Sequence, residues 1–230
     1  MTRTTNARIA GFAFLFYIAV GITGMIVVPG ASGGEDMAVR LAGMERHAAA
    51  VHIGMVLGLV TAFTALTLGV ALYGITRQED HELALLALTC RVVEGALIVV
   101  PTLATLGLLS LAAAEGTAPG AGDGYALAEF LVKVQDWNVM VAATFFAVGS
   151  TLFTWLLLRG RAIPVSLAWI GLFASVLLVV GLPMRLVGVL DGATAAWLLW
   201  IPMGIFEIVL GLWLLIKGVA PASPAVSAPA

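Results

Sequence analysis

The chain has 230 residues, of which 61% are hydrophobic and only 10% charged, and its formal net charge is −2. Soluble domains carry roughly 25% charged residues, and with a mean hydropathy of +1.09 this chain has too much apolar surface for any water-soluble fold to hide, so it belongs in a bilayer. The slight negative charge gives no basic field for nucleic acid, and the single cysteine, Cys90, excludes an internal disulfide and any multi-cysteine metal site.

In chain order the sequence predicts a short polar lead carrying Arg3 and Arg8, then a first span from Ile9 to Val28 that ends at Pro29-Gly30. The small residues Ala31-Ser32-Gly33-Gly34 raise a signal-peptide alternative. The apolar run exceeds the roughly 7–15 residues of a secretory core, which favours a retained span. Gly30 to His47 is a polar loop whose second half reads as a short amphipathic helix lying on the membrane. The second span is Ala48 to Tyr73, with the small pair Gly54 and Gly58 suited to close helix approach and Thr61, Thr64 and Thr67 able to bond back to their own helix.

After a charged turn over Gly74 to Glu82, the third span runs from Leu83 to Ala113. Pro101 interrupts it, so a kink is expected there, with Thr102 and Thr105 available to the freed backbone. A Gly/Pro/Ala loop follows, and the fourth span crosses hydrocarbon near Val139 to Leu158, counting back about 20 residues from Arg159. Glu129 to Asn138 is then an interfacial helical extension, with Trp137 as a headgroup-level anchor. Arg159-Gly160-Arg161 turns the chain into a fifth span, Val165 to Leu182, ending at Pro183. Arg185 and Asp191 lie in the next loop, and the sixth span is Ala195 to Ile216, closed by Lys217-Gly218. The expectation is an all-α, polytopic integral membrane protein: one six-helix transmembrane bundle over residues 1–218 and a disordered Pro/Ala/Ser tail over 219–230.

Six spans place both termini on one side of the membrane. That side holds Arg3, Arg8, Arg77, Arg159, Arg161 and Lys217, against Arg40, Arg46, Lys133 and Arg185 on the other. The bias favours cytoplasmic termini. No internal repeat supports an inverted-repeat transporter fold.

Charges inside the spans stand out because each costs a few kcal/mol in lipid, which makes each a functional-site hypothesis by default. Glu207 lies about 10 residues before Lys217, so roughly 15 Å deep. Glu94 reaches a similar depth counted from Glu82, and Arg91 is one turn nearer the cytoplasm, on the same helix face as Glu94. Arg91, Glu94 and Glu207 are therefore a candidate buried polar centre. One reading is a structural ion pair that sets how the third and sixth spans dock. The other is a proton or ion relay or a polar ligand site, kept open by the surplus of one acid.

His52, Asp136 and Arg185 fall near the opposite interface and form a candidate outer mouth, with solvated interface residues as the bland alternative. The three histidines, His47, His52 and His81, do not converge by topology, so no metal site is assigned. No phosphate-binding glycine loop, nucleophile elbow or catalytic acid pair is present. No catalytic residue and no cofactor is implied, and the lipid bilayer is the one partner that composition implies.

Several stretches carry a family resemblance. They are Ala7-Arg8-Ile9-Ala10-Gly11, then Arg91-Val92-Val93-Glu94-Gly95-Ala96, then Trp155 through Arg159-Gly160 to Ile163-Pro164, and last Pro202 through Glu207 and Trp213 to Lys217-Gly218. In order and spacing they resemble the bacterial membrane-protein family filed as domain of unknown function 4386. The resemblance implies a multi-helix protein of a bacterial inner membrane with no established activity, and it puts Arg91, Glu94 and Glu207 in the family's patterned segments. Three functions follow as expectations: binding or transport of a small molecule or ion through the Arg/Glu centre, a non-catalytic scaffold or regulatory subunit, and, without a candidate nucleophile, an intramembrane enzyme.

Overall fold

A computed structural model of the chain describes residues 2–27, 36–115, 122–190 and 192–220. The described residues are helical throughout apart from short turns: α1 (Arg3–Val27), α2 (Met37–Arg46), α3 (Ala48–Thr76), α4 (His81–Glu115), α5 (Gly122–Arg159), α6 (Val165–Leu186) and α7 (Ala193–Ile216). All but α2 are long and apolar enough to cross a membrane, which makes six spans. Hydrocarbon offers no hydrogen-bond partners, so a backbone crossing it must satisfy every N–H and C=O within itself, and the helix does this. Phe12, Phe63, Phe173 and Leu198 are exposed on the spans, as lipid-facing side chains are. The predicted amphipathic helix is α2, with Leu41 and Met44 buried and Asp36 capping its first turn.

Turn chemistry is written in the sequence. Asp80 accepts from the backbone N–H of Leu83 at 3.1 Å, capping α4, and its other oxygen meets Arg159 at 3.4 Å. At the end of α5, Ala162 N–H donates to Leu157 O and Arg161 N–H to Leu158 O, at 3.0 and 3.1 Å, which is the Schellman pattern. Arg161 occupies the left-handed position there, at φ 47°. Gly218, at φ 74°, closes α7 as expected.

Two boundaries differ from the sequence reading. The fifth span does not end at Pro183, because α6 continues to Leu186 and Val187 N–H donates to Pro183 O at 3.1 Å. A proline removes its own N–H but leaves its carbonyl free to continue the ladder. Arg185 therefore stands in the last turn of α6 rather than in a loop. The second difference is in the tail, where Ala220 N–H donates to Ala162 O at 3.0 Å, so its first two residues are tied down. Residues 221–230, Asp191 and the small residues after the first span lie outside the described residues.

Contacts divide the chain into two compact units: Met1–Leu15, Thr67–Val92 and Thr144–Ala230 form one, Phe16–Leu66 and Val93–Ala143 the other. In the first, α6 and α7 pack against each other. Gly171 of α6 lies under the Phe206 ring and Gly181 under Leu199. Where α1 meets α7, the two backbones touch: a Cβ on Gly11 would lie 2.5 Å from Leu215 N and 2.6 Å from Gly211 O. Buried Asn6 packs on Gly74, and Glu79 lies against Gly160 with Arg3 3.9 Å away.

In the second unit, Leu41, Met44, Val51, Leu108, Ala112 and Ala128 form a buried cluster that holds α2 against α3, α4 and α5. Gly95 lets α4 approach Leu66 of α3, whereas a Cβ on Gly58 of α3 would lie at an ordinary 3.5 Å from Thr102 Oγ1 of α4, so this contact does not require a glycine. Thr61 and Thr64 bond back to Leu57 O and Val60 O at 2.8 and 2.7 Å, also as read.

Candidate functional site

Arg91 stands on the inward stripe of α4, in register with Ala84 and Ala87, and is 1% exposed. Glycine makes room for its stem: a Cβ on Gly69 would lie 2.9 Å from Arg91 Cβ, and one on Gly149 would lie 3.8 Å from Arg91 Cγ. The guanidinium carbon sits over the Phe146 ring, 4.7 Å from its centroid. Phe146 in turn is stacked, tilted by 34°, against Trp200, with centroids 5.9 Å apart. A cation over a desolvated aromatic face is worth on the order of 2 kcal/mol.

Beside Arg91 is a cavity of about 10 Å³, walled by apolar side chains and by Ser150 and Thr154 of α5. Met203 and Leu210 of α7 also line it. Glu207, 8% exposed, lies between them on the same stripe of that helix, four residues after Met203 and three before Leu210. Helix periodicity thus turns Glu207 toward the side of α7 that meets the Arg91 cavity.

Glu94 belongs to the other unit. It is 2% exposed, and the Tyr17 hydroxyl donates to its Oε1 at 3.4 Å. None of the three buried charges stands alone. Among the described residues, no group of three or more His, Cys, Asp or Glu is placed to hold a metal ion.

A family model, Domain of unknown function (DUF4386), matches residues 9–218. The chain belongs to this family. No curated protein and no solved structure matches it. Within the matched DUF4386 region, two of the stretches that carried the resemblance meet in the fold: Gly11 from the first touches Gly211 and Leu215 from the last.

The candidate outer mouth comprises His52, Asp136 and Arg185. His52 is exposed and its Nδ1 bonds the Ala48 carbonyl of its own helix at 2.7 Å. Asp136 is exposed, and among the described residues it forms no hydrogen bond or ion pair. Arg185 is half-buried and donates from Nη1 to Gly192 O at 3.0 Å, which braces the turn into α7.

One polar group has a role that the sequence reading did not assign. Gln135 and Asn138, in the helical extension read as interfacial, are half-buried on α5 and turn toward the proline of α4. Pro101 cannot donate to the carbonyl of Leu97. Asn138 Nδ2 donates to that carbonyl instead, at 2.8 Å. Gln135 Nε2 donates to Pro101 O at 3.1 Å and to Thr105 Oγ1 at 2.9 Å, while Thr105 Oγ1 donates to Pro101 O at 2.8 Å. The threonine therefore bonds the proline's own carbonyl, and the freed one is taken by asparagine. Asn138→Leu strands the Leu97 carbonyl and is expected to cost about 1–3 kcal/mol in unfolding experiments in micelles. Asn138→Asp, which presents no N–H there when ionised, is expected to cost at least as much.

Proposed function

We propose that the protein is a non-catalytic membrane scaffold in which Arg91 and Glu207 form a buried ion pair docking α4 to α7. The observation that carries this reading is the space around the centre. The cavity beside Arg91 has about 10 Å³, and a single water needs on the order of 10–15 Å³. A substrate or hydrated ion passing the centre needs far more. The pairing is supported by the shared side of α7 that Glu207 occupies with Met203 and Leu210, and by the expense of leaving either charge unmatched in an apolar interior. The setting is a bacterial inner membrane with both termini cytoplasmic, supported by the excess of Arg and Lys on that side, and the spans act as one domain over residues 1–218.

The rival reading is small-molecule or ion binding or transport through the same centre, and it differs in water access. With Cys90 replaced by alanine, Ser150→Cys and Thr154→Cys variants in nanodiscs are treated with a charged thiol reagent. The scaffold reading expects no labelling until the protein is unfolded, while a Gln78→Cys control at an exposed turn reacts at once. Labelling of the folded protein at position 150 or 154 would overturn the scaffold and favour a conduit.

A further inference from the structure

One cation of the first span serves neither the Arg91 centre nor the packing of the helices. Ala7, Ala10, Gly11 and Phe14 are buried and form the inward stripe of α1. Thr4, Arg8 and Phe12, each one turn apart, stand on another stripe, and all three are exposed. With Thr5 and Ile9 they line an open groove of about 360 Å³. No carboxylate lines it.

The charges nearby show what the groove lacks. Arg3 and Arg159, at the same end of the unit, meet Glu79 at 3.9 Å and Asp80 at 3.4 Å. Arg8 forms no hydrogen bond or ion pair among the described residues, and neither does the Thr4 hydroxyl. The Thr5 N–H is already taken by Thr2 Oγ1 at 3.1 Å, so what the groove offers is side-chain chemistry and not a bare helix end.

Depth separates its two halves. Ile9 begins the apolar run, so Arg8 stands where hydrocarbon gives way to headgroups. Side chains on a helix lean toward its N-terminus, which carries a guanidinium at position 8 to the level of Thr4 and Thr5 and leaves its stem along the apolar surface. Ile9 and Phe12 continue the groove to roughly 6 Å below Arg8. The groove is cationic at headgroup level and apolar beneath. A phosphate ester with an acyl chain matches both halves: its oxygens accept from Arg8 and Thr4, and its chain covers Ile9 and Phe12. A free phosphate would leave the apolar half uncovered, and a zwitterionic headgroup would bring its own cation toward Arg8.

We infer that this groove holds one anionic phospholipid, its phosphate on Arg8 and Thr4 and its chain on Ile9 and Phe12. The inference depends neither on an Arg91–Glu207 pair nor on which leaflet the chain's start occupies.

The test uses the full chain, stripped of lipid in micelles and titrated with equal amounts of phosphatidylglycerol and phosphatidylcholine of matched chains. Native mass spectrometry counts the lipid retained. The first lipid bound is expected to be phosphatidylglycerol by about fivefold, the worth of one arginine near the headgroups. Arg8→Gln is expected to abolish that preference. Thr4→Val, which keeps the charge, is expected to reduce it about twofold. Arg77→Gln removes the same charge from an exposed turn outside the groove and is expected to leave the preference intact. Thermal unfolding follows the same order, with phosphatidylglycerol raising the Tm of the wild type and not of Arg8→Gln. Equal losses in Arg8→Gln and Arg77→Gln would mean a general attraction to a cationic surface and would overturn the site. Competition by glycerol phosphate, which has the phosphate and no chain, would overturn the assignment of a lipid. Dimers that form without lipid and disperse in Arg8→Gln would put a second copy of the chain in the groove and overturn it as well.

Discussion

Gly11→Ala is expected to destabilise the protein by about 3 kcal/mol, the upper end of what overpacking costs. The reason lies in what the added methyl meets. Its nearest atoms are Leu215 N, 2.5 Å away, and Gly211 O, 2.6 Å away, and both are backbone. A side chain in the way turns to another rotamer at small cost, whereas here α1 and α7 must separate along their length. Separation also opens contacts around Phe14, whose Cβ would stand 3.1 Å from a Cβ on Gly211. In a bilayer, helix association rests on van der Waals contact and not on a hydrophobic drive, so lost proximity is not recovered elsewhere. A second glycine on the same helix supplies the control. A Cβ on Gly24 meets nothing within 4 Å, and Gly24→Ala is expected to gain about 0.5–1 kcal/mol from the better helix former. Unfolding in micelles separates the two. Equal effects of the two changes would mean that the α1–α7 contact does not hold the fold.

That contact marks the limit of what the sequence made legible. The number of spans and the all-α architecture follow from the length of the apolar runs, since a membrane imposes length directly. Which face of each span turns inward does not, because lipid is as apolar as a protein interior and the helices carry no strong polar side. The signal that was available is small residues at helical spacing: Ala7, Ala10 and Gly11 are buried, as are Gly211 and Leu214 on the facing helix. Charges gave the opposite case. Arg91, Glu94 and Glu207 were recognisable because their cost in hydrocarbon leaves few positions for them, and all are buried.

The partners of Gln135 and Asn138 were not legible from their neighbours. Lys133, Asp136 and Trp137 beside them are all exposed, and the stretch reads as one interfacial extension. A helix interleaves such neighbours, and Gln135 and Asn138, three apart, share the other face. The clue was Pro101 on the preceding span, whose missing N–H demanded a donor from somewhere. Arg185 was misplaced for a related reason: Pro183 was read as a stop, although a proline near a helix end leaves the bonds after it intact.

On the proposed pairing, Arg91→Met is expected to cost about 3–5 kcal/mol, because it would leave Glu207 buried with its charge unmatched. Methionine retains the unbranched stem for which Gly69 and Gly149 make room, so cavity formation is a minor part of the loss. Glu207→Met is expected to cost a similar amount by stranding the arginine. The double variant decides between pairing and two unrelated losses. Replacing a buried pair by apolar groups of like volume is often neutral or stabilising by about 1–4 kcal/mol, so the combined change is expected to restore most of the stability. Recovery falls short by the Arg91–Phe146 contact, about 0.5–2 kcal/mol, which methionine does not reproduce. Phe146→Leu measures that share by difference: it also loses packing on Trp200 in both backgrounds, so its cost should be larger in the wild type than in the double variant by about that amount. Losses that simply add in the double variant would show that Arg91 and Glu207 do not pair, and the reading of the centre as a lock between α4 and α7 would fall with them.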